Sequence, residues 1–366
     1  MASASPSLWQ GHRTLIIAIV VASILAVASI VATLVFLLRL PIPPYVPDSV
    51  VYASLFGLMA IGLTLTYITT KVPNFAYGSF VTIGIYTSFS LFRLNHLNPY
   101  LSTPIAFIVG ALSSVVMYLG VLRMLARRGS SLVALMISTL AIDIAFVGIF
   151  GIYSDYLSAH YRIIDTKYFA RFGTDFVLFG SPGLVYVAPI SLALITTALF
   201  LLLTKTRFGV AMRASIENPS LARVLGINVE KTYVFAWLLA GGFAAMAGSY
   251  YTLWLPGGTT AGSNLIVEIF AASVLGGLGS IYGAAIGGLI IGASEILLTQ
   301  VGVDLFGAWV LIFQKGVPLV IMGITLLVVP RGLFSVNWLW IIRSIAQYIR
   351  SLTVWLSRVF GSLKVK

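Results

Sequence analysis

Charged residues divide this chain into long apolar runs. Between Arg13 and Arg39, Asp48 and Lys71, and Lys71 and Arg93 there is no charge at all. Further apolar runs extend from Pro99 to Arg123, from Gly129 to Ser154, from about Leu184 to Thr204, and from Lys231 to about Trp254. A helix of roughly 20 apolar residues crosses the hydrocarbon core of a bilayer, and a helix satisfies its own backbone hydrogen bonds there. Three more crossings fit between Leu265 and Pro330, two of them short and rich in glycine. The pattern predicts an all-α, polytopic membrane bundle of about ten transmembrane helices, or about eight if the Gly-rich segments are re-entrant. The first run, Thr14 to Leu38, is about 25 residues long. A signal peptide has an apolar core of roughly 7–15 residues, so this run reads as a retained span, although Ala26-Val27-Ala28 resembles a cleavage site.

Orientation follows from the basic residues, which collect in short cytoplasmic loops. Arg123, Arg127 and Arg128 mark one such loop, and the segment 205–231 marks a second, with Lys205, Arg207, Arg213, Arg223 and Lys231 against Glu217 and Glu230. The stretch from Asp155 to Asp175 balances its charges and belongs outside. Both termini are then cytoplasmic. Residues 1–335 read as one transmembrane domain, and 336–366 as a basic amphipathic tail with Trp338 and Trp340 as interfacial anchors. Composition agrees: 59% of residues are hydrophobic and 9% charged, against about 25% charged in soluble domains. The net charge of +12 fits anionic headgroups and the inner face of a membrane better than nucleic acid.

Catalysis finds little support. The chain has no cysteine, its three histidines (His12, His96, His160) lie far apart, and no glycine is followed by lysine, which rules out a phosphate-cradling G-x-x-x-x-G-K-[ST] loop. No metal site is expected, and no nucleophile, base and oxyanion hole come together. If ATP drives this protein, another chain must bind it.

The loop 205–231 is the most informative segment. Asn218 suits an N-cap, Pro219 the first helical position and Gly226 a left-handed C′ residue. This predicts a short helix from about Pro219 to Leu225, with Leu221, Val224 and Leu225 on one face. A helix of two turns is marginal in water, so that face needs something to pack on. It either docks into a groove of a soluble partner or lies on its own bundle or the headgroups.

Four segments in order resemble the permease subunits of branched-chain amino acid ABC importers, over about residues 50 to 335. Arg213-Ala-Ser-Ile-Glu-Asn-Pro-Ser-Leu-Ala-Arg-Val-Leu-Gly-Ile-Asn228 is similar to that family's coupling loop, with Glu217, Ala222 and Leu225-Gly226-Ile227-Asn228 at its marked positions. Asn74-Phe-Ala-Tyr-Gly-Ser-Phe80 resembles its Asn-Phe-Ala-His-Gly-Glu segment. Val274-Leu-Gly-Gly-Leu-Gly-Ser-Ile-Tyr-Gly283 and Val329-Pro-Arg-Gly-Leu-Phe334 resemble two further signatures. Tyr77 and Ser79 depart from the family's usual His and acidic residue, and the outer loop from Ser154 to Ser181 looks longer than usual. The resemblance implies a permease, not an enzyme, that translocates branched-chain or other small hydrophobic amino acids through a pore completed by a second permease subunit, either a copy or a relative. It also implies P-loop ATPase subunits at the cytoplasmic face, which would hydrolyse ATP while this chain binds no cofactor, and an extracytoplasmic binding protein. Arg213 and Glu217 would fix the docking helix. Relatives of this fold type carry urea, amides and sugars.

Pro73 and Asn74 interrupt an apolar run. Pro73 breaks a helix, and Asn74 can cap a half-helix whose N-terminus, near Phe75 and Tyr77, would face a substrate carboxylate or simply line protein. Gly279, Gly283 and Gly287 recur every fourth residue, as do Ala240, Ala244 and Gly248, a spacing that lets helix backbones approach closely. Asp143, Glu268, Glu295 and Lys315 stand in apolar runs. A charge costs about 2.5–3.5 kcal/mol at the centre of a span, so each should face protein or water. Asp143 and Glu268 are thus candidates for the substrate pathway, or for an ion relay in a secondary transporter, the rival reading.

Overall fold

The computed structural model describes residues 43, 45–330 and 332–335. The apolar run 14–38 and the tail 336–366, with Trp338 and Trp340, lie outside the described residues. The principal helices are α1 (Tyr45–Thr70), α2 (Tyr77–Asn95), α3 (Pro99–Arg127), α4 (Leu132–Tyr161), α5 (Leu184–Lys205), α6 (Arg207–Glu217), α7 (Pro219–Val224), α8 (Val229–Trp254), α9 (Ile266–Gly276), α10 (Ile281–Phe306) and α11 (Gly316–Val328).

Six of these, α1, α3, α4, α5, α8 and α10, are long and apolar enough to cross a membrane, so the chain is a helical, multi-pass membrane protein. Sequence periodicity overstates the uniformity of the rest. α2 has 19 residues but is rich in Ser and Thr, because it is buried among neighbours and not against lipid; Ser88 alone bonds Ser102 and Ser249 at 2.7 and 2.6 Å. α9 and α11, with 11 and 13 residues, fall short of a full crossing by length.

α1 runs through the centre, packed against α5, α8, α9 and α10. Its most apolar stretch is 89% buried, whereas that of α4 is 11% buried. α4 therefore presents a broad apolar surface to lipid or to another subunit. α8 joins α1, α2 and α3 into one layer. A Cβ at Gly248 would collide with the Val81 carbonyl of α2, and one at Gly287 with the Ala272 carbonyl of α9. Gly283 lies backbone to backbone with Gly276. Gly279 is different: it is exposed in the turn before α10 with nothing within 4 Å of its would-be Cβ, so it takes no part in the packed seam.

The loop between α4 and α5, read as external from the sequence, departs from an all-helical plan. It carries β1 (Tyr168–Phe169), β2 (Val177–Leu178) and β3 (Ser181–Pro182); β2 and β3 form a hairpin, and β1 pairs antiparallel with β4 (Gly257–Gly258). Polar by composition, the loop is pinned by aromatic rings. Phe169 and Phe172 are buried and stack on Phe89 and Phe92 of α2 at 4.2 and 4.3 Å. Offset ring pairs of this kind add to burial. The loop therefore covers one end of the bundle, and the segment 206–228 lies at the other end, across the length of α5.

Candidate functional site

Two places bring the chemistry-bearing residues together. The first is the end of the bundle that carries α6 and α7. Thr206 caps α6 by accepting from the Gly209 N–H at 2.9 Å. Asn218 caps α7 through its Oδ1, which accepts from the Leu221 N–H at 3.0 Å. Gly226, at φ +80°, closes it, with the Ile227 N–H returning to the Ala222 carbonyl at 3.0 Å. Only a residue without a Cβ adopts that turn freely. Asn228 then caps α8 by accepting from the Lys231 N–H at 3.1 Å. Three caps in succession give a rigid corner rather than a slack loop.

The corner sorts its residues. Ala222 is 2% exposed and faces the bundle, while Leu221, Val224 and Leu225 are exposed, Val224 by 83%. Arg213 and Glu217 are exposed on α6, and neither makes an ion pair among the described residues. The ion pairs here belong to residues that sequence spacing did not connect: Glu230, in the first turn of α8, binds both Arg123 and Arg127 at the end of α3, the latter at 2.8 Å. A π-helical stretch, Tyr118–Leu122, precedes these arginines and resets the register of the last turn of α3. Between the ends of α1 and α3 and the α7–α8 corner lies a cavity of about 610 Å³, lined by Thr69, Tyr118, Arg123, Arg127, Arg223 and Glu230 among others.

The second place is the break between α1 and α2. Lys71 takes a left-handed backbone (φ 57°), and α2 starts at Tyr77 with Ala76, not Asn74, at its N-cap. Asn74 is buried and its Oδ1 accepts from the Ala76 N–H at 3.1 Å, so it shapes the turn from within. Tyr77 is buried too, and its hydroxyl donates to the Ala240 carbonyl of α8 at 3.2 Å. Both residues are thus engaged inside the bundle. Phe75 lies nearer the surface: its N–H donates to Thr139 Oγ1 of α4 at 3.2 Å, and its ring meets Phe270 of α9 at 5.2 Å.

One turn along α4 from Thr139 is Asp143. Its Oδ1 accepts from Ser79 Oγ at 2.6 Å and from Ser263 Oγ at 3.1 Å, which ties α4 to α2 and to the short turn Ser263–Leu265 that leads into α9. Glu268 is buried beside Lys315, with Nζ to Oε1 at 3.6 Å. Glu295 is buried and accepts from Gln314 Nε2 at 3.1 Å. Among the described residues no three His, Asp or Glu side chains gather as metal ligands.

The family model for the branched-chain amino acid transport system / permease component matches residues 45–330, the whole bundle described above. The chain belongs to that family. It is 45% identical over 290 residues to a Methanocaldococcus jannaschii protein named "Probable branched-chain amino acid transport permease protein LivH", covering 79% of this chain and 91% of that one. The high-affinity branched-chain amino acid transport system permease proteins LivH of Escherichia coli and BraD of Pseudomonas aeruginosa are 30% and 29% identical over 68% and 69% of this chain, and 83% and 84% of their own lengths. No solved structure matches. The chain is therefore a multi-pass membrane permease component and not an enzyme.

Proposed function

We propose that this chain is the membrane-spanning subunit of an ATP-driven importer of branched-chain or similar small hydrophobic amino acids. The observation that carries the coupling assignment is α7: a helix capped at both ends that holds Leu221, Val224 and Leu225 out of the bundle. Six residues cannot hold a helix alone in water, and an apolar face fixed in this way suits a groove on a partner. The partner is a P-loop ATPase at the cytoplasmic face; the chain itself holds no nucleotide. A second permease subunit, a copy or a relative, completes the pore against the exposed surface of α4, and an extracytoplasmic binding protein delivers substrate at the end covered by the aromatic-anchored loop. We take residues 1–335 as one transmembrane domain of about ten segments, counting the run 14–38 and taking α9 and α11 as partial crossings, with both termini cytoplasmic and the tail 336–366 on the inner membrane face.

Co-purification from native membranes tests this directly. The wild-type chain should bring down a P-loop ATPase, and Leu221→Asp with Leu225→Asp should lose it while the chain still inserts. If neither sample carries an ATPase, and uptake collapses with the ion gradient instead of with ATP, the coupling assignment fails and an ion-coupled pathway through Asp143 and Glu268 replaces it.

A further inference from the structure

Charged side chains of opposite sign bond the first two residues of the turn Ser263–Leu265. Asp143 Oδ1 takes the Ser263 hydroxyl at 3.1 Å, and Lys315 Nζ donates to the Asn264 carbonyl at 3.1 Å. The two anchor points are on adjacent residues, whose Cα atoms are ~3.8 Å apart. Each charged group also keeps unused capacity. Both bonds to Asp143 fall on Oδ1, and Oδ2 has no hydrogen-bond partner among the described residues. An ammonium has three donors; on Lys315 one goes to the Asn264 carbonyl, and Glu268 stands 3.6 Å away as its ion-pair partner. Asp143 is half-buried, and Asn264 and Lys315 are exposed on the bundle surface. Charged groups at a lipid face are strongly disfavoured, so this surface faces water or protein.

An apolar floor adjoins the charges. Phe75 binds α4 through Thr139, which is four residues from Asp143 and so on the same helix face, and its ring packs on Phe270, with exposed Val267 nearby on α9. We infer that this is a transit site for a zwitterionic α-amino acid with an aliphatic side chain. Asp143 Oδ2 receives the ammonium, Lys315 receives the carboxylate, and Phe75, Val267 and Phe270 hold the side chain. Bridging the two charges through the substrate and its hydrogen bonds needs roughly 8–9 Å. Glu268 neutralises Lys315 between substrates. Asn74 and Tyr77, turned inward, take no part. The inference rests on the importer reading above and adds the residues and the charge pattern of the ligand.

The test uses the intact importer, this chain with its partner subunits, in vesicles supplied with ATP. Initial uptake of L-leucine is compared for the native chain, Asp143→Asn, Lys315→Met, Lys315→Arg and Val267→Trp, with ATPase co-purification as the check on assembly. The KM for leucine should rise at least ~10-fold in Asp143→Asn and Lys315→Met, as expected for a lost charged hydrogen bond. Lys315→Arg should stay within about threefold of native. Val267→Trp, which leaves the charges intact and replaces an already exposed side chain, should block leucine by filling the floor. Inhibition of the native importer should need both charges, so neither 4-methylpentanoate nor 3-methylbutylamine should compete. If the native importer takes up no leucine, the importer reading falls and takes the site with it. If native uptake is robust and Asp143→Asn, Lys315→Met and Val267→Trp all keep KM within twofold, the site alone is overturned.

Discussion

The Glu230 clamp gives a prediction whose size can be worked out. Glu230 begins α8 directly after the α7 corner, and its two partners end α3, so the clamp ties the proposed coupling helix to α3. Side-chain exposure is 30% for Arg123, 34% for Glu230 and 65% for Arg127. Exposed pairs contribute about 0.2–1 kcal/mol. The sheltered Arg123 pair belongs near the top of that range, about 1 kcal/mol, and the Arg127 pair near the bottom, about 0.3 kcal/mol. Together they amount to about tenfold in the equilibrium between joined and parted ends, since 1.4 kcal/mol is a factor of ten. Glu230→Gln should therefore raise the ATP hydrolysed per substrate moved by several-fold, with the ATPase still bound. Double-mutant cycles with Arg123→Gln and Arg127→Gln, read as thermal midpoints of the full chain in detergent, should give the larger coupling for Arg123. Both couplings should shrink between 0.1 and 1 M salt, as the Debye length falls from about 10 to 3 Å. Equal couplings for the two arginines, or couplings that ignore salt, would refute the argument.

Other parts of the fold make equally plain predictions. Asn218→Ala removes the α7 cap at a cost of about 1 kcal/mol, which should weaken ATPase co-purification roughly fivefold, and Asn218→Ser should restore most of it. Phe169→Ala empties a buried aromatic stack, a loss of about 3–5 kcal/mol, and should loosen the loop so that trypsin cleaves faster after Arg162 and Arg171, whose side chains are already exposed. Gly248→Val drives side-chain atoms into the Val81 carbonyl and should abolish accumulation of the chain in membranes, whereas Gly279→Ala, with open space around it, should be tolerated. Wild-type levels of Gly248→Val would show that α2 and α8 are not held as described.

The helical, multi-pass character was legible because lipid demands apolar surface over a fixed length, and every charge that interrupts a run is visible in one dimension. The α7 corner was legible because capping is local: Asn218, Pro219 and Gly226 act within a few residues of themselves. Asn74 shows the limit of that reasoning. Its place just after Pro73 suggested a cap, but its buried side chain accepts from the Ala76 N–H within the turn, one residue before α2 begins. α2 was harder still, since hydroxyls that look unfit for a span bond one another only after α3 and α8 have packed around them. Asp143 stood out in the sequence as a charge in an apolar run, yet its partners Ser79 and Ser263 are 64 and 120 residues away. Lys315 and Asn264 meet across 51 residues. Nothing in local spacing announces such pairs; they follow from the topology.

α8 connects the two sites. It has 26 residues, about 39 Å of helix, and begins on Asn228 and Glu230 at the coupling corner. Its middle is built of small residues, so α2 and α3 lie against its backbone: Tyr77 bonds the Ala240 carbonyl, and Ser114 bonds the Trp237 carbonyl at 2.5 Å. Packing this close leaves no side-chain cushion to absorb displacement, and dense interiors transmit strain. At its far end Trp254 Nε1 is held by Asp48 of α1 at 2.9 Å. The chain then passes through β4, paired with β1 of the loop between α4 and α5, and returns into the bundle at Gly262, whose N–H donates to Thr82 of α2 at 3.0 Å. Ser263 and Asp143 come next. The joints from α7 to Asp143 are thus a helix cap, close backbone contacts and hydrogen bonds. A shift of the α7 corner must then either break one of these joints or be felt at the carboxylate, while the partly exposed clamp at Glu230 stands beside the route and ties its first turn to α3.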